Sequence, residues 1–201
     1  MKHAIQDEIK GVFLFLGAIW GVFLLDLVLP MVNFNDWGLV PRSLFGLFGI
    51  PLMPFLHAGF GHLISNSVPL VILLTLLAGS RTRTWPTVVE IAILGGGLLW
   101  LFGRSGDGQG AVMYHVGASG LVYGLIAFLI VAGFREQRLV PMLVAVAVGF
   151  LYGGTLLFGV LPTVRGVSWD GHLCGALAGA GIAYFTLGNN AAEAQAKENV
   201  L

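Results

Sequence analysis

Six apolar stretches, each long enough to cross a bilayer as a helix, run through this chain and leave it few other ways to fold. At 1.5 Å of rise per residue, about 20 residues cover the roughly 30 Å of hydrocarbon in a membrane. The stretches are residues 11–29, 62–79, 86–102, 117–134, 140–158 and 171–187. With 57% hydrophobic residues, 10% charged ones and a mean hydropathy of +0.89, the composition excludes an ordinary soluble domain. The predicted fold class is therefore an all-α membrane protein, a six-transmembrane-helix bundle over residues 11–187. Short polar tails are expected at 1–10 and 188–201, the second of them alanine-rich and poorly ordered. The first stretch is too long for a signal-peptide core and no small-residue cleavage site closes it, so it is read as a membrane span.

Between the first two spans, Pro41, Pro51 and Pro54 break any long helix, yet Leu44, Phe45, Leu47 and Phe48 make the segment too apolar for water. A partly embedded loop after the first helix is expected. Basic residues set the orientation. Lys2, Lys10, Arg81, Arg83, Arg135, Arg138 and Lys197 fall on the side shared by the two termini, and Arg42, Arg104 and Arg165 on the other. Both termini are thus expected in the cytoplasm, and the second, fourth and sixth helices begin at the outer face. His62, Ser119 and His172, at or near those three starts, then share one depth.

Zero net charge gives no basic field for nucleic acid, so the lipid bilayer is the partner the composition demands. The lone Cys174 has no disulfide partner within the chain and reads as a small buried thiol.

Ser119 lies where a polar loop turns into an apolar helix, with Gly117 and Gly120 leaving space around its hydroxyl. In the first turn of that helix its amide lacks an internal partner and faces with the positive end of the helix dipole, a ready oxyanion donor. The Gly-x-Ser-x-Gly elbow of soluble hydrolases is absent, since Leu121 stands where its second glycine would be. A serine hydroxyl needs a base, and His172 is the best candidate. Gly175 and Gly179 follow it on nearly one helix face, with Gly120 and Gly124 on the serine helix. Such small-residue rows let two helices approach closely enough for His172 to reach Ser119.

His62 and Asn66, four apart on one helix face, read either as a structural pair or as donors to a developing oxyanion. Their shared depth with Ser119 favours donors. Tyr123, one turn from Ser119, is placed to pack on His172. His57 and His115 are rival histidines. Asp170 lies two residues before His172, a spacing that does not share a face, so a dyad is expected rather than a triad. No His-Glu-x-x-His run is present, and neither a metal nor another cofactor is expected.

Three segments, His57-Ala58-Gly59-Phe60-Gly61-His62-Leu63-Ile64-Ser65-Asn66, then Gly117-Ala118-Ser119-Gly120, then Gly171-His172-Leu173-Cys174-Gly175 with Gly179, resemble the rhomboid intramembrane serine proteases. The resemblance runs from about Pro41 to Leu187. It implies a six-helix core and cleavage of single-span membrane proteins near the outer face. It also implies roles: Ser119 as nucleophile, His172 as general base, His62 and Asn66 as oxyanion donors, Tyr123 as the aromatic packed on the base, and His57 as a structural loop histidine. One departure is visible. Many members carry a Trp-Arg pair in the loop after the first helix, where this chain reads Leu47-Phe48-Gly49-Ile50. A catalytically silent relative that binds membrane clients is the alternative, and it would lack a dyad residue. Compact size and bare tails point to a prokaryotic plasma membrane.

Overall fold

The computed structural model describes residues 5–29, 31–80, 83–106, 110–163 and 166–198. Among these are seven α-helices: α1 (Ile5–Val28), α2 (Gly49–Leu52), α3 (Phe60–Ala78), α4 (Thr84–Phe102), α5 (Ser119–Glu136), α6 (Leu139–Gly159) and α7 (Trp169–Glu198). Three short 3-10 turns flank α2 or precede it. No β-strand longer than an isolated bridge occurs among the described residues. Helices α1, α3, α4, α5 and α6 are long and apolar enough to cross a membrane.

Helix α5 is the centre of the bundle, with 11 of its 18 residues buried. Its sequence is apolar all round and small on several faces, which suits a helix with neighbours on every side. Helices α7, α6, α4 and α3 all pack on it. The main core joins Leu70, Leu73, Leu74 and Leu77 of α3 to Leu125, Ile126 and Phe128 of α5. Helix α1 adds a stripe of Glu8, Val12, Leu16 and Ile19, one helical repeat apart, and its Trp20 donates to the Ser67 hydroxyl at 3.1 Å. Helix α6 is the exception: of its 21 residues only Ala145 and Val148 are buried.

The expected spans coincide with these helices, with shifts at the ends. Helix α1 starts at Ile5, so the polar stretch 5–10 is helical rather than a tail. Asp7 and Glu8 in its first turn suit the positive dipole end, and Lys10 pairs with Asp7 at 3.1 Å. Residues 1–4 lie outside the described residues. Helix α7 does not stop at Leu187 but continues to Glu198, as a run rich in alanine, the best helix former, would favour. Helix α5 begins two residues later than expected, because Gly117 has φ +106 and cannot be helical.

The loop after α1 folds without the Trp-Arg pair. Asp26 accepts from the Phe34 amide at 2.9 Å, capping the first 3-10 turn. Arg42 donates to the Leu101 and Gly103 carbonyls at 3.2 and 2.8 Å, and the Trp100 indole donates to the Ser43 carbonyl at 2.8 Å. Gly46 and Gly49 press onto the backbone of Val40 and Leu39, where no Cβ would fit. The loop is thereby tied to the end of α4, over a small second core of Leu39, Met53, Leu99 and the buried Cys174. Trp37, Leu44, Phe45 and Phe48 stand exposed on it, as a loop lying in lipid requires.

Candidate active site

Ser119 is the first residue of α5, and the first backbone bond of that helix runs from the Val122 amide to the Ala118 carbonyl. The Ser119 amide is therefore one of the unpaired donors of the first turn. His172 sits in the first turn of α7. Its Nε2 lies 2.9 Å from Ser119 Oγ, and its Nδ1 lies 2.8 Å from the Gly159 carbonyl oxygen. A carbonyl only accepts, so Nδ1 carries the ring proton and Nε2 presents its lone pair to the serine hydroxyl. The Tyr123 ring is stacked on the imidazole at 4.0 Å between centroids and 7° between planes. The Tyr123 hydroxyl donates to the Thr155 carbonyl at 2.9 Å, which fixes the plane of the stack.

The approach of α5 and α7 has the cause read from the sequence. A Cβ at Gly175 would overlap the Gly120 carbonyl, and one at Gly179 would overlap the Gly124 carbonyl. Gly120 in turn faces the Gly171 carbonyl. The two glycine rows thus set the distance between serine and histidine.

A cavity of about 880 Å³ opens over the pair. His62 and Asn66 of α3, Ser119 and Tyr123 of α5, and His172 of α7 all line it. Gly117 makes room for His62: a Cβ there would lie 2.5 Å from the imidazole Nε2. The Gly117 amide is held by the Met53 carbonyl at 2.9 Å, so the loop backbone shapes this wall. Asn66 is buried, and its amide nitrogen donates to the His62 carbonyl at 2.8 Å. That bond uses one of its two amide hydrogens. Between α3 and α6 the cavity is bounded by Ser65 and Pro69 on one side and Tyr152 and Thr155 on the other.

The rival histidines are close by but are not the partner of Ser119, and His115 lines the same cavity. His57 is buried beside His62, with ring centroids 5.0 Å apart, and its Nδ1 faces the Phe55 carbonyl at 3.4 Å. Burial pushes its pKa down to about 4, His62 adds to the effect, and the Phe55 carbonyl opposes it. His115 lies 2.6 Å from Ser168 Oγ and 2.8 Å from the Arg104 carbonyl. Its pKa is also lowered, by burial above all, against the Arg104 carbonyl bond and nearby Asp170. Asp170 does not face His172. It accepts from the Arg104 backbone amide at 2.8 Å and from the guanidinium at 3.2 and 3.1 Å. That ion pair, with Arg104 also over the Trp169 ring at 5.0 Å, staples the loop before α5 to the start of α7.

Sequence reasoning missed Gly159 and Thr155, which act through main-chain carbonyls that no side-chain pattern reveals. Gly159 ends an apolar run, where a glycine reads as a helix stop. It also missed Ser168, whose hydroxyl accepts from the Gly171 amide at 3.3 Å and caps α7. The signal was present there, a serine three residues before a glycine at a helix start.

The Rhomboid domain family model matches residues 41–189. Proteins of Mycobacterium bovis and Mycobacterium tuberculosis, both described as uncharacterized, are 43% identical over 152 residues, covering 73% of this chain and 62% of each relative. An uncharacterized protein of Mycobacterium leprae is 43% identical over 143 residues, covering 69% of this chain and 55% of that protein. The matched part of the chain thus spans less than two thirds of the length of these relatives. The match takes in the loop tied down by Arg42, all three motif-bearing helices and the cavity they enclose, and this integral membrane protein belongs to the rhomboid family.

Proposed function

We propose that this protein is an intramembrane serine endopeptidase, acting through Ser119 and His172 on single-span membrane proteins near the outer face of a bacterial plasma membrane. The observation that carries the reading is the bond from Ser119 Oγ to His172 Nε2 at 2.9 Å, with the other ring nitrogen already engaged. In this reading the chain crosses the bilayer six times, with α7 as the last crossing and both termini in the cytoplasm.

As the serine oxygen bonds to a substrate carbonyl carbon, its proton passes to Nε2. The developing oxyanion is met by the Ser119 amide, His62 and Asn66, which border the cavity before any substrate enters. Collapse of the tetrahedral intermediate breaks the C–N bond, and Nε2 returns the proton to the leaving amine. Water, activated by the same nitrogen, then releases the acyl group. A helical substrate has its carbonyls internally bonded, so the segment cleaved is one that unwinds readily. In this reading such a segment reaches the serine between α3 and α6, which line the cavity with Ser65, Pro69, Tyr152 and Thr155.

Labelling of the detergent-solubilised protein with a fluorophosphonate tests the reading. Wild type is expected to label, and Ser119→Ala and His172→Ala to remain unlabelled while inserting normally in membranes. Wild type that neither labels nor cleaves a panel of single-span substrates would return the chain to the client-binding alternative.

A further inference from the structure

We propose that the C-terminal end of α6 is the third member of this site: the Gly159 carbonyl holds His172 in the tautomer that leaves Nε2 free for Ser119, and faces the charge the ring gains. The proposal deepens the reading of His172 as a base and rests on it. In the soluble arrangement that the pair resembles chemically, a carboxylate receives the Nδ1 proton of the histidine and orients the ring. Here the nearest carboxylate in sequence, Asp170, accepts from Arg104 and from the Ser168 hydroxyl and makes no bond to His172. The group that receives the Nδ1 proton is the Gly159 carbonyl, at 2.8 Å.

Its position suits the task. Gly159 is the last residue of α6, and the last carbonyls of a helix have no partner within it and stand at the negative end of its dipole. An imidazolium is favoured at that end. Glycine is required there for a separate reason: a Cβ at position 159 would fall on the Tyr123 hydroxyl. That hydroxyl donates to Thr155, one helical turn earlier. Two carbonyls of α6 therefore grip the two stacked rings, Gly159 the imidazole and Thr155 the phenol. Gly159 acts on the reaction through His172 and is a positioning residue.

The full-length chain, labelled with 15N-histidine and held in detergent micelles, reports the tautomer directly. The His172 signals are assigned by their loss in His172→Gln. Near neutral pH the proposal expects Nδ1 protonated and Nε2 bare in the wild type. In Gly159→Ala the ring is expected to shift toward the Nε2-protonated form. Its kcat is then expected to fall on the order of 10²-fold, with KM little changed. An Nε2-protonated His172 in the wild type overturns the proposal whether or not the variant folds. So does a folded Gly159→Ala protein with unchanged tautomer and kcat. Wild type that shows the Nδ1 tautomer but cleaves nothing supports this placement of the proton and removes the protease reading alone.

Discussion

At Ser119 the hydroxyl proton has one neighbouring lone pair to move to, and that of His172 is aimed at it because the opposite nitrogen is occupied. For the proposed oxyanion donors, His62 and Asn66, the expectation is graded. His62→Ala and Asn66→Ala should each lower kcat by on the order of 10²-fold while sparing fluorophosphonate labelling more than His172→Ala does. Equal loss in both assays would remove them from the oxyanion role. His57 gives a pH dependence with a definite sign. Unfolded, it takes up a proton near 6.5, whereas folded it does so only near 4, so the unfolded state binds more protons between those values. Stability should therefore fall as pH drops through that window. His57→Gln should show a shallower fall in melting temperature from pH 6.5 to 5 than the wild type, and equal slopes would exclude His57 as a source. Ser119, His62, Asn66, His172 and Tyr123 were all legible in the sequence, because a polar group placed in an apolar run stands out. Gly159 was not, since its contribution is a carbonyl that every residue carries.

Between elements, the α5–α7 contact is the most extensive among the described residues, and Gly175 and Gly179 leave no room in it for a Cβ. Gly175→Ala places a methyl against the Gly120 carbonyl, and α5 and α7 must separate by some tenths of an ångström or more. Overpacking of this kind typically costs about 1–3 kcal/mol. A lower melting temperature and a larger proportional loss of activity than of stability are expected, because the added distance falls on the Ser119–His172 bond. Gly97→Ala is the control: open space surrounds that position, and little change is expected. A Gly175→Ala protein as active as wild type would mean that the glycine rows do not set this distance. The rows were visible as a spacing of four, and the helices as apolar runs. What the spacing could not supply was the staple from Arg104 to Asp170, which joins residues 66 apart in the chain. Helix ends were also shifted, at Ile5 by charges that suit a first turn and at Gly117 by a positive φ.

For the whole molecule, the orientation rests on arginines and lysines counted along the sequence, and it has a direct test. Cys174 is buried, so a new thiol reports against a low background. Gln6→Cys and Val112→Cys sit at opposite ends of the bundle, both at exposed positions. In intact cells a membrane-impermeant maleimide should label Val112→Cys and spare Gln6→Cys, and the reverse pattern would invert the proposed topology.

The order of the helices along the chain has one more consequence, for biosynthesis. The serine lies on α5, but its proposed base arrives only with α7, which lodges against both α4 and α5. A nascent chain that has inserted the serine helix already holds His57, His62 and His115, but not His172, the histidine bonded to Ser119. If Ser119 and His172 act as proposed, the chain stays inert during synthesis until the last of these helices docks. On the proposed reading, a product cut short before Trp169 lacks its base and should leave the membrane proteins made beside it uncut.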